Sequence, residues 1–199
     1  MADLKLLERL CTAQGISGDE GAVREMILEE ITPYAESVTV TPLGNIIAEK
    51  KGAQRAKTRL LLNAHMDEVG MIVTGITKEG LLRFTPVGGI DRRILPGKSV
   101  MVAGSIPGVI GAKPIHLLEG DEREKAPSLD SLTIDIGALS QEEAEKLVSP
   151  GDSVTFVSLF DTAYGMIRSR AIDDRAGCAI LIDLMKKELP YDCTFVFAV

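Results

Sequence analysis

Residues 59–70 read Arg59-Leu60-Leu61-Leu62-Asn63-Ala64-His65-Met66-Asp67-Glu68-Val69-Gly70. The run up to Ala64 is apolar on both faces of an extended chain, the pattern of a strand inside a sheet that helices cover. It leads straight into His65-Met66-Asp67. In open α/β sheets, sites gather at the carboxyl ends of strands. Strand side chains alternate, so His65 and Asp67 point to one face. An aspartate so placed can accept the second ring N–H of a metal-binding histidine and fix its tautomer. A satisfied histidine beside a surface acid is the plainer reading of the same residues, and spacing alone leaves both open.

Working outward toward the N-terminus, Leu4, Leu7 and Leu10-Cys11 recur at helical spacing and give a first helix that Gly15 stops. Ser17-Gly18-Asp19-Glu20 has the form of a capping box, with Ser17 bonding the Glu20 amide and Glu20 reaching back. Val23, Met26-Ile27 and Ile31 then line one face of a second helix, ended near Pro33. Val38-Thr39-Val40 and Asn45-Ile46-Ile47-Ala48 flank Pro42-Leu43-Gly44 as a hairpin.

Toward the C-terminus the texture changes over residues 70–163. Short β-like runs recur between Gly and Pro: Met71–Thr77, Leu81–Pro86, Ser99–Ala103, Gly108–Ala112, Leu132–Ile136 and Asp152–Val157. They predict a small β-rich, barrel-like unit. One helix, Gln141–Val148, interrupts it behind a second capping box at Ser140 and Glu143. Glu119–Lys125 reads as a solvated loop. Gly88–Arg93 reads as a tight turn with a solvated ion pair, or as a functional loop. His116 has no acid at ligand spacing, and a structural role is preferred for it.

After Arg168-Ser169-Arg170 the α/β texture returns. Ala171-Ile172-Asp173-Asp174-Arg175 precedes an apolar helix, Ala176–Lys187, with a face at Ile180, Leu181 and Leu184. Cys193–Val199 reads as a buried strand. Its bare apolar end favours a chain cut at a strand end over a true C-terminal strand. The acids Asp173 and Asp174 have two readings. Helix N-termini favour acids by capping and by the macrodipole. Alternatively, one of the pair is a carboxylate that bridges two metal ions.

Composition narrows the function classes. With 199 residues, 45% of them hydrophobic and 26% charged, the chain is long enough to bury a core and is not disordered, collagenous or coiled-coil. A net charge of -7 and only eight aromatics (Phe 5, Tyr 3, no Trp) argue against a nucleic-acid partner. Cys11, Cys178 and Cys193 form no CxxC and no disulfide framework, have no nearby histidine, and read as core residues in a reducing compartment. The N-terminus is an amphipathic helix with no signal-peptide pattern, and no apolar run is long enough for a membrane span, so a cytoplasmic protein with no membrane partner is expected. GxSxG, P-loop and GxGxxG patterns do not occur, which lowers serine hydrolase, NTPase and dinucleotide readings.

The order of the pieces is more specific than any one of them. Gly15-Ile16-Ser17-Gly18-Asp19-Glu20, Pro42-Leu43-Gly44-Asn45, Ala64–Gly70, Gly108–His116, Ile134-Asp135-Ile136-Gly137-Ala138 and Ala171–Cys178 follow one another across nearly the whole chain. In this the chain resembles the M42 family of metallo-aminopeptidases, of the glutamyl or deblocking aminopeptidase type. The resemblance implies an α/β fold: a three-layer zinc-peptidase-like catalytic domain at 1–69 and 164–199, incomplete at its C-terminus, interrupted at 70–163 by a small β-barrel-like insert for dimerisation and assembly. It implies a homo-oligomer, dimers building a dodecamer, that acts on peptides with a free N-terminus. It also implies two divalent metal ions, zinc or cobalt. By this carry-over His65 is a metal ligand, Asp67 the catalytic residue that orients it, and Asp173 the bridging ligand, joined to Asp174 by a cis bond. A water activated between the ions attacks the scissile carbonyl, and a glutamate moves its proton to the leaving amine.

The resemblance also says what is missing. The family's glutamate pair, which holds the general base, its later carboxylate ligand and its final histidine do not fall within the 199 residues. The chain alone is therefore expected to bind metal weakly, to hydrolyse nothing and to be poorly soluble, since its last strand is expected to lack later neighbours. A degenerate paralogue that keeps only an assembly surface is the non-enzymatic alternative. An in-frame Glu-Glu-Val-Gly-like continuation past codon 199 marks truncation, whereas a stop codon marks the paralogue. Glycoside hydrolysis by Asp67 and Asp173 ranks lower, because it leaves His65 without a role.

Overall fold

The computed structural model describes residues 3–55, 57–117, 120 and 126–199. Apart from Gly120, the charge-dense stretch Glu119–Lys125 lies outside the described residues. In chain order the elements are α1 (Leu4–Thr12), α2 (Gly21–Ile31), β1 (Ser37–Val40), β2 (Ile46–Lys50), β3 (Leu61–His65), β4 (Gly70–Ile76), β5 (Leu82–Val87), β6 (Ser99–Val102), β7 (Ile106–Gly111), β8 (Thr133–Asp135), α3 (Gln141–Glu145), β9 (Ser153–Phe156), β10 (Asp161–Ala163), β11 (Met166–Arg168), α4 (Ile172–Met185) and β12 (Cys193–Ala198). They divide into two compact units, Met1–Glu68 with Ser158–Val199, and Val69–Val157.

The first unit is a four-stranded sheet in the order β1-β2-β12-β3, with β12 antiparallel to β2 and parallel to β3. Alternation along β12 buries Cys193, Phe195 and Phe197. These side chains pack with Ile46, Ala48 and Ala64 against Leu10 of α1, Ile27 and Ile31 of α2, and Ile182 and Met185 of α4. Asp3 caps α1, its carboxylate accepting from the amides of Lys5 and Leu6 at 3.0 and 3.3 Å. The hairpin β1–β2 turns through Gly44, whose φ of +103° suits a residue without a side chain.

Three sequence expectations are corrected here. The segment 59–64 is not interior to the sheet: among the described residues β3 pairs only with β12, and Leu61 is 57% exposed. The buried face of α4 is Cys178, Leu181, Ile182 and Met185, while Ile180 is 53% exposed; at 100° per residue, Ile180 lies across the helix from Cys178. Ser17 does not cap α2, whose N-cap makes no side-chain bond; instead the Glu20 carboxylate accepts from the Gly18 amide at 2.6 Å.

The second unit is a closed antiparallel barrel in the order β4-β5-β8-β7-β6-β9. Every predicted β run supplies one strand. Inward residues, among them Met71, Leu82, Val100, Ile110, Ile134 and Val154, fill it. The predicted cap of α3 is present, with Ser140 accepting from the Glu143 amide at 3.3 Å and the Glu143 carboxylate from the Leu139 amide at 2.9 Å. Asp91 and Arg93 form the expected exposed ion pair, and the Arg93 hydrogen bonds hold the Asp91 carboxyl down to about 2.

Candidate metal centre

The site sits at the carboxyl end of β3, where His65 ends the strand and Met66 is tied to the neighbouring strand by its amide to Ala198 O at 2.8 Å. His65 and Asp67 share a face, and His65 Nδ1 lies 2.8 Å from Asp67 Oδ1. The other ring nitrogen, Nε2, lies 3.2 Å from Asp173 Oδ1, a residue 108 positions away. The structure thus brings all three of His65, Asp67 and Asp173 together. Burial alone lowers the His65 pKa, but the hydrogen bonds and charges of Asp67 and Asp173 outweigh it and raise it above the ordinary histidine value.

Of the two readings the sequence left open for Asp173 and Asp174, capping falls to Asp174. The bond between them is cis, as the resemblance implies, and both have non-helical backbone angles. Asp174 is the cap: its Oδ1 accepts from the Gly177 amide at 3.0 Å. A side chain at Gly177 collides with that carboxylate unless the carboxylate shifts. Asp173 is 97% exposed and turned to His65.

Four further residues build the site, and the sequence reading missed their roles. The Ser17 hydroxyl donates to Asp67 Oδ2. Arg175 is fully buried and donates to four backbone carbonyls: Met66 O from Nε at 2.5 Å, Ala13 O from Nη1 at 2.9 Å, Gly15 O from Nη2 at 3.3 Å, and Leu10 O. Glu68 lies between Arg170 and Arg175, its Oε1 3.6 Å from Arg175 Nη2 and bonded to Arg170. Burial raises the Glu68 carboxyl against the pull of these two arginines. The signal available in the sequence was positional, since Glu68 follows Asp67 and Arg175 follows Asp174. The cysteines behave as expected: all three are free and buried, and burial pushes Cys178 up to about 12. His116 is exposed on a turn of the barrel unit, where no structural partner is evident among the described residues.

The donor set fits a divalent ion in part. An imidazole held at Nδ1 by a carboxylate presents Nε2, and the exposed Asp173 carboxylate faces it; imidazole and carboxylate both suit zinc and cobalt. Among the described residues no group of three or more His, Cys, Asp or Glu converges on one ion.

The family model described as M42 glutamyl aminopeptidase matches residues 44–199. A protein of Acetivibrio thermocellus assigned as an aminopeptidase is 39% identical over 196 residues, which is 98% of this chain and 57% of its own length. A Thermotoga maritima structure described as an endoglucanase superposes with a TM-score of 0.86 at 44% identity, over 97% of this chain and 58% of that one. The Pyrococcus horikoshii TET1 peptidase, described as assembling into a tetrahedron or a large octahedral shell, superposes with a TM-score of 0.86 at 42% identity, over 98% of this chain and 60% of that one. The chain therefore spans somewhat over half the length of these relatives. With the family model matching residues 44–199, the chain belongs to the M42 glutamyl aminopeptidase family.

Proposed function

We propose that this chain carries part of the centre of a dinuclear-metal aminopeptidase that removes N-terminal residues from peptides. The observation that carries this is the meeting of His65 Nε2 and Asp173 Oδ1, with Asp67 on the opposite ring nitrogen. M42 peptidases are generally dinuclear-metal enzymes. Bound there, the ions supply a lowered water pKa and polarisation of the scissile carbonyl. His65 and Asp173 are the residues of this chain that would hold them. Asp67 keeps the ring proton on Nδ1 and leaves the Nε2 lone pair outward. Arg175 holds the Met66 carbonyl, and so keeps the His65 strand end beside the helix that carries Asp173.

The ligands and general base beyond these two belong, on this reading, to the part of the relatives that this chain does not span. The chain alone then binds zinc or cobalt weakly and is inactive. The barrel unit serves in assembly of a homo-oligomer, as the architecture described for the TET1 peptidase supports. Three free buried thiols support a cytoplasmic setting, and no helix among the described residues is long and apolar enough to cross a membrane.

The test is a polypeptide that continues this chain to the length of its relatives. It trims a free-amine peptide and leaves an N-acetylated one intact, chelator abolishes the activity, and His65→Ala or Asp173→Asn removes it. Chelator-resistant trimming contradicts the function. Metal-dependent trimming by the 199-residue chain alone contradicts its inactivity.

The endoglucanase description of the Thermotoga structure favours a second reading, glycoside hydrolysis. Two carboxyls must then flank a glycosidic bond with room for sugar between them. Here Asp67 and Asp173 flank the His65 ring instead. Chelator-insensitive release of reducing sugar from a β-glucan is the result that supports this reading.

A further inference from the structure

We propose that Ser17 is a positioning residue of this centre: by donating to Asp67 Oδ2, its hydroxyl holds the Asp67 carboxylate in the plane that keeps the ring proton on His65 Nδ1. The inference rests on the metal-site reading for its purpose and on geometry alone for its mechanism. A carboxylate torsion is broad, so one hydrogen bond leaves the group free to rotate. Asp67 has two: Oδ1 faces His65 Nδ1 at 2.8 Å, and Oδ2 accepts from Ser17. Carboxylates only accept, and a neutral imidazole has one proton to give. Asp67 and Asp173 compete for it, because Asp173 Oδ1 stands 3.2 Å from Nε2. If Asp173 wins, the proton sits on the nitrogen that has to face an ion. Whatever fixes Asp67 therefore decides which nitrogen is bare.

The loop that carries Ser17 is built for this contact. Ile16 pairs with Glu68 as a parallel bridge, and the Glu68 amide donates to Gly15 O at 2.9 Å. The Asp19 amide closes the turn onto Ile16 O at 2.9 Å, with Gly18 at φ +90°. The buried Glu20 carboxylate holds the Gly18 amide at 2.6 Å. A side chain at Gly15 meets Val23 Cγ2 at 2.9 Å and Arg175 Nη2 at 3.0 Å, so the loop packs closely there. Ser17 lies outside α2, whose N-cap is Glu20, and its hydroxyl bonds Asp67, fifty positions away.

The test reads the His65 tautomer in the metal-free chain by long-range 1H–15N correlation, at a pH where the ring is neutral. Only two histidines are present, and a His116→Gln variant assigns the spectrum. The wild-type chain shows the Nδ1–H form. Ser17→Ala moves the population toward Nε2–H at an unchanged melting temperature, and Ser17→Thr restores the wild-type pattern. If Ser17→Ala folds poorly, the isosteric pair Ser17→Thr and Ser17→Val decides, because only the hydroxyl differs. An identical tautomer ratio in Thr and Val variants overturns the inference. Titration with cobalt chloride gives a second readout, a loss of affinity of about tenfold in Ser17→Ala, at the low end for partners of a metal-binding histidine. Equal cobalt affinity in the wild-type chain and His65→Ala sinks the metal reading, while the tautomer comparison still decides Ser17.

Discussion

Asp173 and Asp174 are the same residue twice, put to opposite uses. One bonds the Gly177 amide and starts a helix; the other is almost fully exposed and faces an imidazole. Period-two geometry made the His65–Asp67 pair readable in advance, because the two residues stand two apart where β3 ends. Ser17 was not readable, because its partner is fifty residues away and a nearer capping role accounted for it equally well. The Arg175 network was hidden for the same reason: its acceptors are backbone carbonyls at 10, 13, 15 and 66, which no side-chain pattern announces. Arg175→Ala strands those carbonyls and leaves Glu68 with one arginine, so a loss of about 3–5 kcal/mol is expected in urea unfolding. Arg175→Lys recovers only part of it, since an ammonium has three donors against five. A loss below about 1 kcal/mol for alanine contradicts the account. The thiols make a second test. With Cys178 raised to about 12 and all three cysteines buried, the native chain is expected to be silent to a disulfide reagent and to react three times in denaturant. Rapid labelling of the native chain counts against it.

At the scale of elements, the barrel strands were the most legible part, because each is a short β-branched run set off by Gly or Pro. The helices were legible in existence and less so in phase: the buried face of α4 runs through Cys178, Leu181, Ile182 and Met185. Strand position was least legible. Leu60, Leu61 and Leu62 look interior by hydropathy, yet β3 has only one partner among the described strands. One pairing of elements carries a pH prediction. Glu30 of α2 accepts from Lys186, just past α4, at 2.5 Å and from Arg9 of α1 at 2.9 Å. The Lys186 hydrogen bond, with help from the Lys186 charge and Arg9, outweighs burial and lowers its pKa. The ionised form is favoured in the folded state, so this stabilisation is present above the unfolded carboxylate value and is lost as pH falls through the folded one. Glu30→Gln is therefore expected to lower the melting temperature at neutral pH, with the difference vanishing in acid. A difference that grows in acid reverses the sign and refutes the assignment.

For the whole molecule, the reading of an α/β body holding a β-rich insert rested on a change of sequence texture, and within the barrel unit the reason such an insertion works is visible. Its first strand, β4, pairs with its last, β9, with Met71 opposite Val154, so entry and exit lie side by side. With a closed hydrogen-bond ring and its own core, residues 69–157 are expected to fold alone, giving a dispersed amide spectrum and a cooperative melt. A molten spectrum contradicts that. The proposed metal pair, His65 and Asp173, can be tested on this chain directly. Crystals of the 199-residue chain soaked in millimolar cobalt, with diffraction recorded at the cobalt edge, address the central claim most directly. The account predicts an anomalous peak within bonding distance of both His65 Nε2 and an Asp173 carboxylate oxygen, absent in His65→Ala. A peak remote from both side chains, or no peak at saturating cobalt, contradicts it.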